Sequence, residues 1–382
     1  MSSRILLLLL VLTSLAASET MTVFFIDPGY ADYSGDAILV MTPSGRNYLI
    51  DGGDRGQNPP WDCGCSRVFP LLDSLGIDRL DGIVATHPHT DHIGGLIYVL
   101  DRVGADVVWD SGLWSSSYVY GNFLEAVEDC GAVLETPRMG DTLDWGSGLE
   151  VVVLHPQDPL DPGNVNNASI VLRIAFSEIS FLFAGDLETD GGEDLILAAV
   201  SSGRLGPIAS NVLKVGHHGS FTSTSTPWLA AISPDWAAIE VGAGNPFGHP
   251  HGEVLARLMG RDISIFRTDL DGTFYIATDG ESLFYNTLPG GGAEPERPRG
   301  LIAYPSPCSD HVTFAWADDG RSSVVRVVNL AGETVRAWET TESPIDWNLS
   351  LEEGSLASPG LYAVVRESGG GENCVEYFAV VR

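Results

Sequence analysis

Lysine is almost absent from this sequence: Lys214 is the only one, and with the arginines it brings the basic residues to 20 against 51 acidic ones. The net charge of −31 argues against tight, unaided binding to a polyanion, which needs clustered basic side chains. It suits instead a protein kept soluble by self-repulsion. Cysteine is scarce, at five. Cys63 and Cys65 form one C-x-C with no second pair to complete a structural zinc site. Cys130 reads as a small buried hydrophobe, and Cys308 with Cys374 as candidates for a disulfide in an oxidising exterior. Apolar runs of membrane-spanning length, about 20 residues, are missing too. The run Ile5–Leu12 follows Arg4 and precedes Ala16 and Ser18, a signal-peptide pattern over residues 1–18. The expectation is an exported or cell-surface protein with no transmembrane segment.

What is present is enough to fold. The chain has 382 residues, 44% of them hydrophobic, which accommodates two or three domains with packed cores. Over residues 19–287, strand blocks such as "TVFFIDPG", "DAILV" and "DGIVATH" alternate with helical blocks such as "VFPLLDSLGI" and "YGNFLEAVEDCG". "SIVLRIAFSEISFLF" reads as a hairpin turning at Ser177–Glu178. This predicts an α/β domain of sheets covered by helices. Residues 288–300, "LPGGGAEPERPRG", have linker composition. Residues 301–382 show short alternating strands alone, predicting a small all-β sandwich.

Three of the nine histidines fall within six residues, in "GIVATHPHTDHIGGL" at 82–96. His87 and His89 share a face of an extended segment. Asp91 and His92 arrive from the helix start that follows, and Gly94 and Gly95 allow that helix to pack closely. Imidazole and carboxylate suit zinc, manganese or iron. Two further strands end in donors: "FLFAGD" on Asp186, a carboxylate able to bridge two cations, and "VLKVGHH" on His217 and His218. Asp36 in "SGDA" and Asp51 in "IDGG" read as residues that fix loops and ligand orientation. His155 reads as a structural histidine at a strand end.

With these motifs assembled, "THPHTDHIGG", "AGD" and "KVGHHGS" resemble the HxHxDH and later motifs of the metallo-β-lactamase superfamily. Together with "GDAILVMTPSGRNYLIDGG", "NNASIVLRI" and "NPFGHP" they stand in the order seen in the hydrolase domain of ComEC-type competence proteins. The resemblance covers residues 22–286 and implies an αββα sandwich with a dinuclear centre at one edge. It implies two divalent ions, zinc or manganese, held by His87, His89, Asp91, His92, Asp186 and His217, with Asp91 also orienting the attacking water. Many superfamily members carry a further histidine upstream of the bridging aspartate, where this chain has Asn166, Asn167 and Ser169. The resemblance makes His249 and His218 candidates for protonating the leaving group. Asn166, Ser169, Ser220 and Asn245 are candidates for substrate contact. The "YADYSGDA" stretch, residues 30–37, and the "NPPWDCGCS" loop are candidate rim elements. Residues 300–382, with "YPSPCSDHVTFAW", "VVRVVNLAGETVRAW" and "SPGLYAVV", resemble the FlgD-type immunoglobulin-like sorting domain of type IX secretion, which implies contact with secretion machinery.

Three functions stay open at this point. The first is a secreted phosphodiesterase or nuclease acting on nucleic acid or a small phosphodiester. The second is a hydrolase of carboxylic esters, lactones or amides. The third is a surface protein whose metal site is structural only.

Overall fold

The computed structural model describes residues 20–29, 35–55, 62–288, 302–304, 311–316, 322–329, 334–341, 344–351, 355–358, 360–368 and 373–380. The expected signal peptide, residues 30–34 of the "YADYSGDA" stretch, the linker beyond 288, Cys308 and the side chain of Cys374 lie outside the described residues. Cys63, Cys65 and Cys130 are free thiols, buried, exposed and half-buried in turn.

Strands β1 (Met21–Phe25), β2 (Ile38–Met41) and β3 (Asn47–Ile50) are buried on both faces. Because side chains alternate along a strand, Val23, Phe25, Ile38, Val40, Tyr48 and Ile50 enter one core, while Phe24, Leu39 and Leu49 enter another. The first core lies between two sheets, since Val153, Leu172, Phe181 and Val212 complete it from the second. The other core lies under helices.

The first sheet has eight strands, in the order β14 (Leu283–Thr287), β13 (Phe274–Thr278), β1, β2, β3, β4 (Leu80–Ala85), β5 (Ala105–Asp110), β6 (Val133–Glu135). From β3 to β6 the pairing is parallel. Parallel neighbours need crossover connections, supplied by α1 (Phe69–Leu75), α2 (Thr90–Arg102) and α3 (Tyr118–Cys130). Their Leu72, Ile93, Leu96, Val99, Phe123 and Val127 cover the outer face. Helices α1 and α3 stop at Gly76 and Gly131, both left-handed.

The second sheet runs β12 (Ser264–Arg267), β11 (Trp236–Ile239), β10 (Val212–Lys214), β9 (Ile179–Phe183), β8 (Val171–Phe176), β7 (Leu149–His155). The β8–β9 hairpin turns at Ser177, whose φ is 54°. Parallel strands β9, β10 and β11 are linked through α4 (Asp194–Ser201) and α5 (Thr226–Ile232), which bury Ile196, Ala199, Trp228, Leu229 and Ile232. The domain is the expected α/β sandwich of two sheets with helices outside.

One compact unit takes in the described residues up to His249 and from Phe266 to 288; the other takes in Pro250–Ile265 and the described residues from 302 onward. In the latter, a three-stranded sheet (Ile302–Tyr304, Val312–Ala315, Ile345–Trp347) and a four-stranded one (Ser323–Asn329, Thr334–Thr340, Gly360–Ser368, Asn373–Val380) are antiparallel throughout. Val312, Phe314, Val325, Val327, Trp347 and Val364 form its core.

Helix α2 is pressed onto the chain leaving β3. Gly95 N donates to Gly53 O (2.9 Å) and Gly52 N to His92 O (2.8 Å). A Cβ on Gly95 would stand 2.0 Å from Gly52 O and 2.6 Å from Gly64 N. Gly95→Ala is therefore expected to destabilise the protein by about 1–3 kcal/mol through overpacking. Gly121→Ala, on α3 where an added methyl meets nothing within 4 Å, is expected to stabilise it by about 0.5–1 kcal/mol. Urea denaturation of the two variants should give midpoints shifted in opposite directions; a shared direction would refute the packing argument.

Candidate metal centre

Four chain segments converge where the parallel strands end. The chain leaves β4 through Thr86, His87 and His89, and α2 opens with Asp91 and His92 in its first turn. Gly185 and Asp186 follow β9, and the doublet His217–His218 follows β10. Backbone bonds lock the segments together: Ile170 N donates to Thr86 O (2.9 Å) and His217 N to Gly185 O (3.0 Å).

The side chains meet around Asp186. His92 Nε2 lies 3.3 Å and His87 Nε2 3.9 Å from its Oδ2, with His217 Nε2 at 3.8 Å. His218 Nε2 lies 3.5 Å from its Oδ1 and 3.5 Å from Asp91 Oδ2. His87 Nε2 and His89 Nδ1 are 3.0 Å apart. Among the described residues, compact donor groups include His87–His92–Asp186, Asp91–His92–His218 and Asp36–Asp186–His218.

The far nitrogens of the imidazoles are held from behind. His92 Nδ1 donates to Asp51 Oδ2 (2.7 Å), and Asp51 also accepts from Thr86 N (2.8 Å) and Thr86 Oγ1 (2.6 Å). His218 Nδ1 donates to Glu240 O (3.0 Å). His87 Nδ1 contacts Thr86 Oγ1 (3.1 Å). Such partners fix the tautomer and leave Nε2 to face the centre. Asp51 thus fixes the orientation of the His92 imidazole. Asp36 accepts from Lys214 Nζ, which also donates to Gly185 O (3.2 Å), and Asp36 Oδ1 lies 3.3 Å from His218 Nδ1. Behind Asp36, Glu240 Oε1 accepts from Ala37 N (3.1 Å).

Electrostatics at this point favour a cation. Burial works to raise the Asp186 and Asp91 carboxyls, but the imidazoles of His218 and His92 outweigh it and hold both well below their ordinary value. Burial likewise works to lower His92 and His218, and neighbouring carboxylates, Asp186 foremost, push both well above 6.5. His87, buried beside His92, is pushed well below it. Burial beside Asp36 drives Glu240 well above the usual carboxyl range. Protons on imidazole are the compensating charge in this arrangement. A divalent cation offers the same compensation with better geometry, because His92 Nε2, His218 Nε2 and Asp186 Oδ1 are buried without a hydrogen-bond partner. The donor set of imidazole and carboxylate therefore fits zinc or manganese.

The candidate substrate contacts are placed differently from one another. Ser169 is wholly buried; its Oγ accepts from Asp186 N (3.0 Å) and lies 3.4 Å from His87 Nδ1. Ser220 is buried too, 3.0 Å from Thr222 Oγ1. Asn245 closes its own loop, donating to Gly242 O (3.2 Å) and His249 O (2.7 Å) and accepting from His249 N (3.0 Å). Asn166 Nδ2 reaches Glu188 Oε1 (3.4 Å) and His217 Nδ1 (3.5 Å). The His249 ring stands 5.6 Å from that of His217 and 6.3 Å from that of His218. Sequence reasoning missed Glu188 and Glu240. Glu240 carries the signal that marks Asp186, an acid closing an apolar strand.

A family model described as the metallo-beta-lactamase superfamily matches residues 32–239, more than half of the chain. Among curated proteins the chain is 32% identical over 249 residues to ComE operon protein 3 of Bacillus subtilis (strain 168), covering 63% of this chain and 31% of that protein. It is 30% identical over 239 residues to competence protein ComA of Neisseria gonorrhoeae, covering 62% and 30%. The chain thus spans less than a third of the length of these two relatives. Among solved structures it is similar to CmlA, a diiron beta-hydroxylase from Streptomyces venezuelae, with 16% identity and a TM-score of 0.36 over 58% of this chain and 45% of that one.

His155, closing β7, is 2% exposed and donates from Nδ1 to Ser169 O (3.1 Å). Burial lowers its pKa to about 4. The unfolded chain takes up this proton near pH 6.5 and the folded one only near 4, so the group's contribution is intact above 6.5 and is lost as pH falls between them. The loss amounts to about 3 kcal/mol. Urea unfolding at pH 7 and pH 4.5 should show a smaller loss for His155→Gln than for wild type; equal losses would sink this assignment.

Proposed function

We propose that this chain, which belongs to the metallo-beta-lactamase superfamily, is an exported metal-dependent hydrolase of phosphodiester bonds. The observation that carries the hydrolase reading is the convergence of His92 Nε2, His218 Nε2 and Asp186 Oδ1, buried and lacking hydrogen-bond partners. Its likeness to competence proteins favours phosphodiesters, with nucleic acid or a smaller diester as substrate. No helix among the described residues is long and apolar enough to cross a membrane, and the leader pattern at 1–18 supports export to the exterior or cell surface. Residues 301–382 would serve as the immunoglobulin-like module engaging secretion machinery.

His87, His89, Asp91, His92, Asp186 and His217 would hold two divalent ions, zinc or manganese. Such ions, when bound, activate water and draw charge from phosphoryl oxygens. Asp91 is the carboxylate that solvent reaches, with 28% of its side chain exposed against 3% for Asp186 and 0% for Asp51. It is therefore the carboxylate placed to orient the attacking water. His249 lies on the rim beside His217, held by Asn245, where its imidazole donates a proton to the leaving oxygen. Asn166 faces the same rim through Glu188.

A second reading, hydrolysis of carboxylic esters or lactones, draws on the charge balance. The only lysine is buried and the net charge is −31, so no lysine ammonium is offered to a nucleic-acid backbone. The same fact favours small diesters over long polyanions within the first reading.

Hydrolysis of bis(p-nitrophenyl) phosphate by metal-loaded protein should fall at least about 100-fold in Asp91→Ala and vanish on chelation. Two bound metals with no phosphodiester cleavage, but turnover of a lactone, would replace this reading by the second. The role of His249 has its own test. p-Nitrophenolate leaves without a proton, so His249→Ala should alter that reaction only a few-fold. Cleavage of a thymidine dinucleotide, whose alkoxide must be protonated, should slow about 100-fold. Equal slowing of both substrates would remove His249 from the acid role.

A further inference from the structure

Adjacent residues in ordinary backbone point apart, so two neighbouring histidines at one centre need a reason. His217 and His218 are both left-handed, at φ 48° and 52°. That is a sparsely populated region for residues with a side chain. Glycines flank the pair at 216 and 219, yet imidazoles occupy the strained positions. The backbone turn aims them at opposite oxygens of one carboxylate: His217 Nε2 at Asp186 Oδ2 (3.8 Å), His218 Nε2 at Asp186 Oδ1 (3.5 Å).

Each ring is also anchored separately through Nδ1. His218 donates to the carbonyl of Glu240. His217 Nδ1 faces Glu188 Oε1 at 3.2 Å. That carboxylate is itself fixed: Thr222 Oγ1 donates to Oε1 (2.8 Å), Asn164 Nδ2 to Oε2 (2.7 Å), and Asn166 Nδ2 lies 3.4 Å from Oε1. Carboxylate or carbonyl behind imidazole is the arrangement that presents the other nitrogen as a ligand. Both rings have it.

We infer that the doublet divides between the two halves of the centre. His217, which faces Asp186 Oδ2 together with His87, joins the His87–His89 half; His218, in the compact Asp91–His92–His218 donor group, joins the Asp91–His92 half; His92 lies against Asp186 Oδ2 between the two, and Glu188 is a positioning residue for His217. This rests on the dinuclear reading above and refines it. His218 becomes a ligand, which leaves His249 as the proton donor, and the Asn164–Asn166 segment acts through Glu188.

Zinc stoichiometry by mass spectrometry and titration calorimetry, on the whole protein, tests the division. Wild type should bind two Zn2+, His217→Ala one and His218→Ala one. The decisive pair adds His89→Ala to each. With His217→Ala it should still leave one ion, because both changes strike the same half. With His218→Ala it should leave none. Two ions retained at unchanged affinity in His217→Ala would overturn the inference, as would loss of both ions in His89→Ala/His217→Ala with wild-type circular dichroism. Should the alanine variants misfold, Glu188→Gln decides. It should bind one of two Zn2+ about 10–100-fold more weakly, and unchanged binding of both would reject Glu188 as the positioning group. A wild type that binds fewer than two ions would defeat the dinuclear reading itself, a different result from either failure.

Discussion

A cluster of buried carboxyl groups at one sheet edge is the constraint on which the structure turns. Asp36, Asp51, Asp186 and Glu240 are each at most 2% exposed, with Asp91 beside them, and Lys214 is the one fully buried amine among them. Removing ions from water is costly unless each is paired and hydrogen-bonded. Segments that reach the edge therefore bring compensating donors: Thr86 for Asp51, Ala37 for Glu240 and Lys214 for Asp36, while the Asp186 carboxylate faces the imidazoles of His92 and His218. The glycine contacts serve the same end, because His92 meets Asp51 only when α2 lies against Gly52 and Gly53.

Much of this was legible in the sequence, for reasons that can be named. Short apolar runs bounded by turns at residues 21–25, 38–41 and 47–50 predict strands, and burial of both faces follows from their near-continuous apolar content. Gly76 and Gly131 mark helix ends because a left-handed cap costs glycine little. The convergence of His87, Asp91, His92 and Asp186 is legible because strand ends in an α/β domain collect at one edge. The comparisons place the chain in the family that its motifs resembled.

What was hidden is direction. A serine or asparagine near a ligand in sequence is near the site in space, but its side chain can face solvent or core. Ser169 turns inward to Asp186 and His87, and Asn245 spends its amide on its own loop. Glu188 lies two residues beyond Asp186, and nothing in composition says that it holds a histidine 29 positions away. The linkage depends on the left-handed turn at 217–218, which φ alone reveals.

The solitary lysine has a practical side. Its ammonium group is sealed at 1% exposure beneath the ends of β9 and β10. A protease that cuts after lysine finds no side chain of that kind on the folded surface, and an amine-reactive dye finds none to label. Either reagent would reach Lys214 only once the strands around it part. Opening of this one sheet edge can thus be timed without any engineered probe, by a chemistry to which the rest of the chain's side chains are silent.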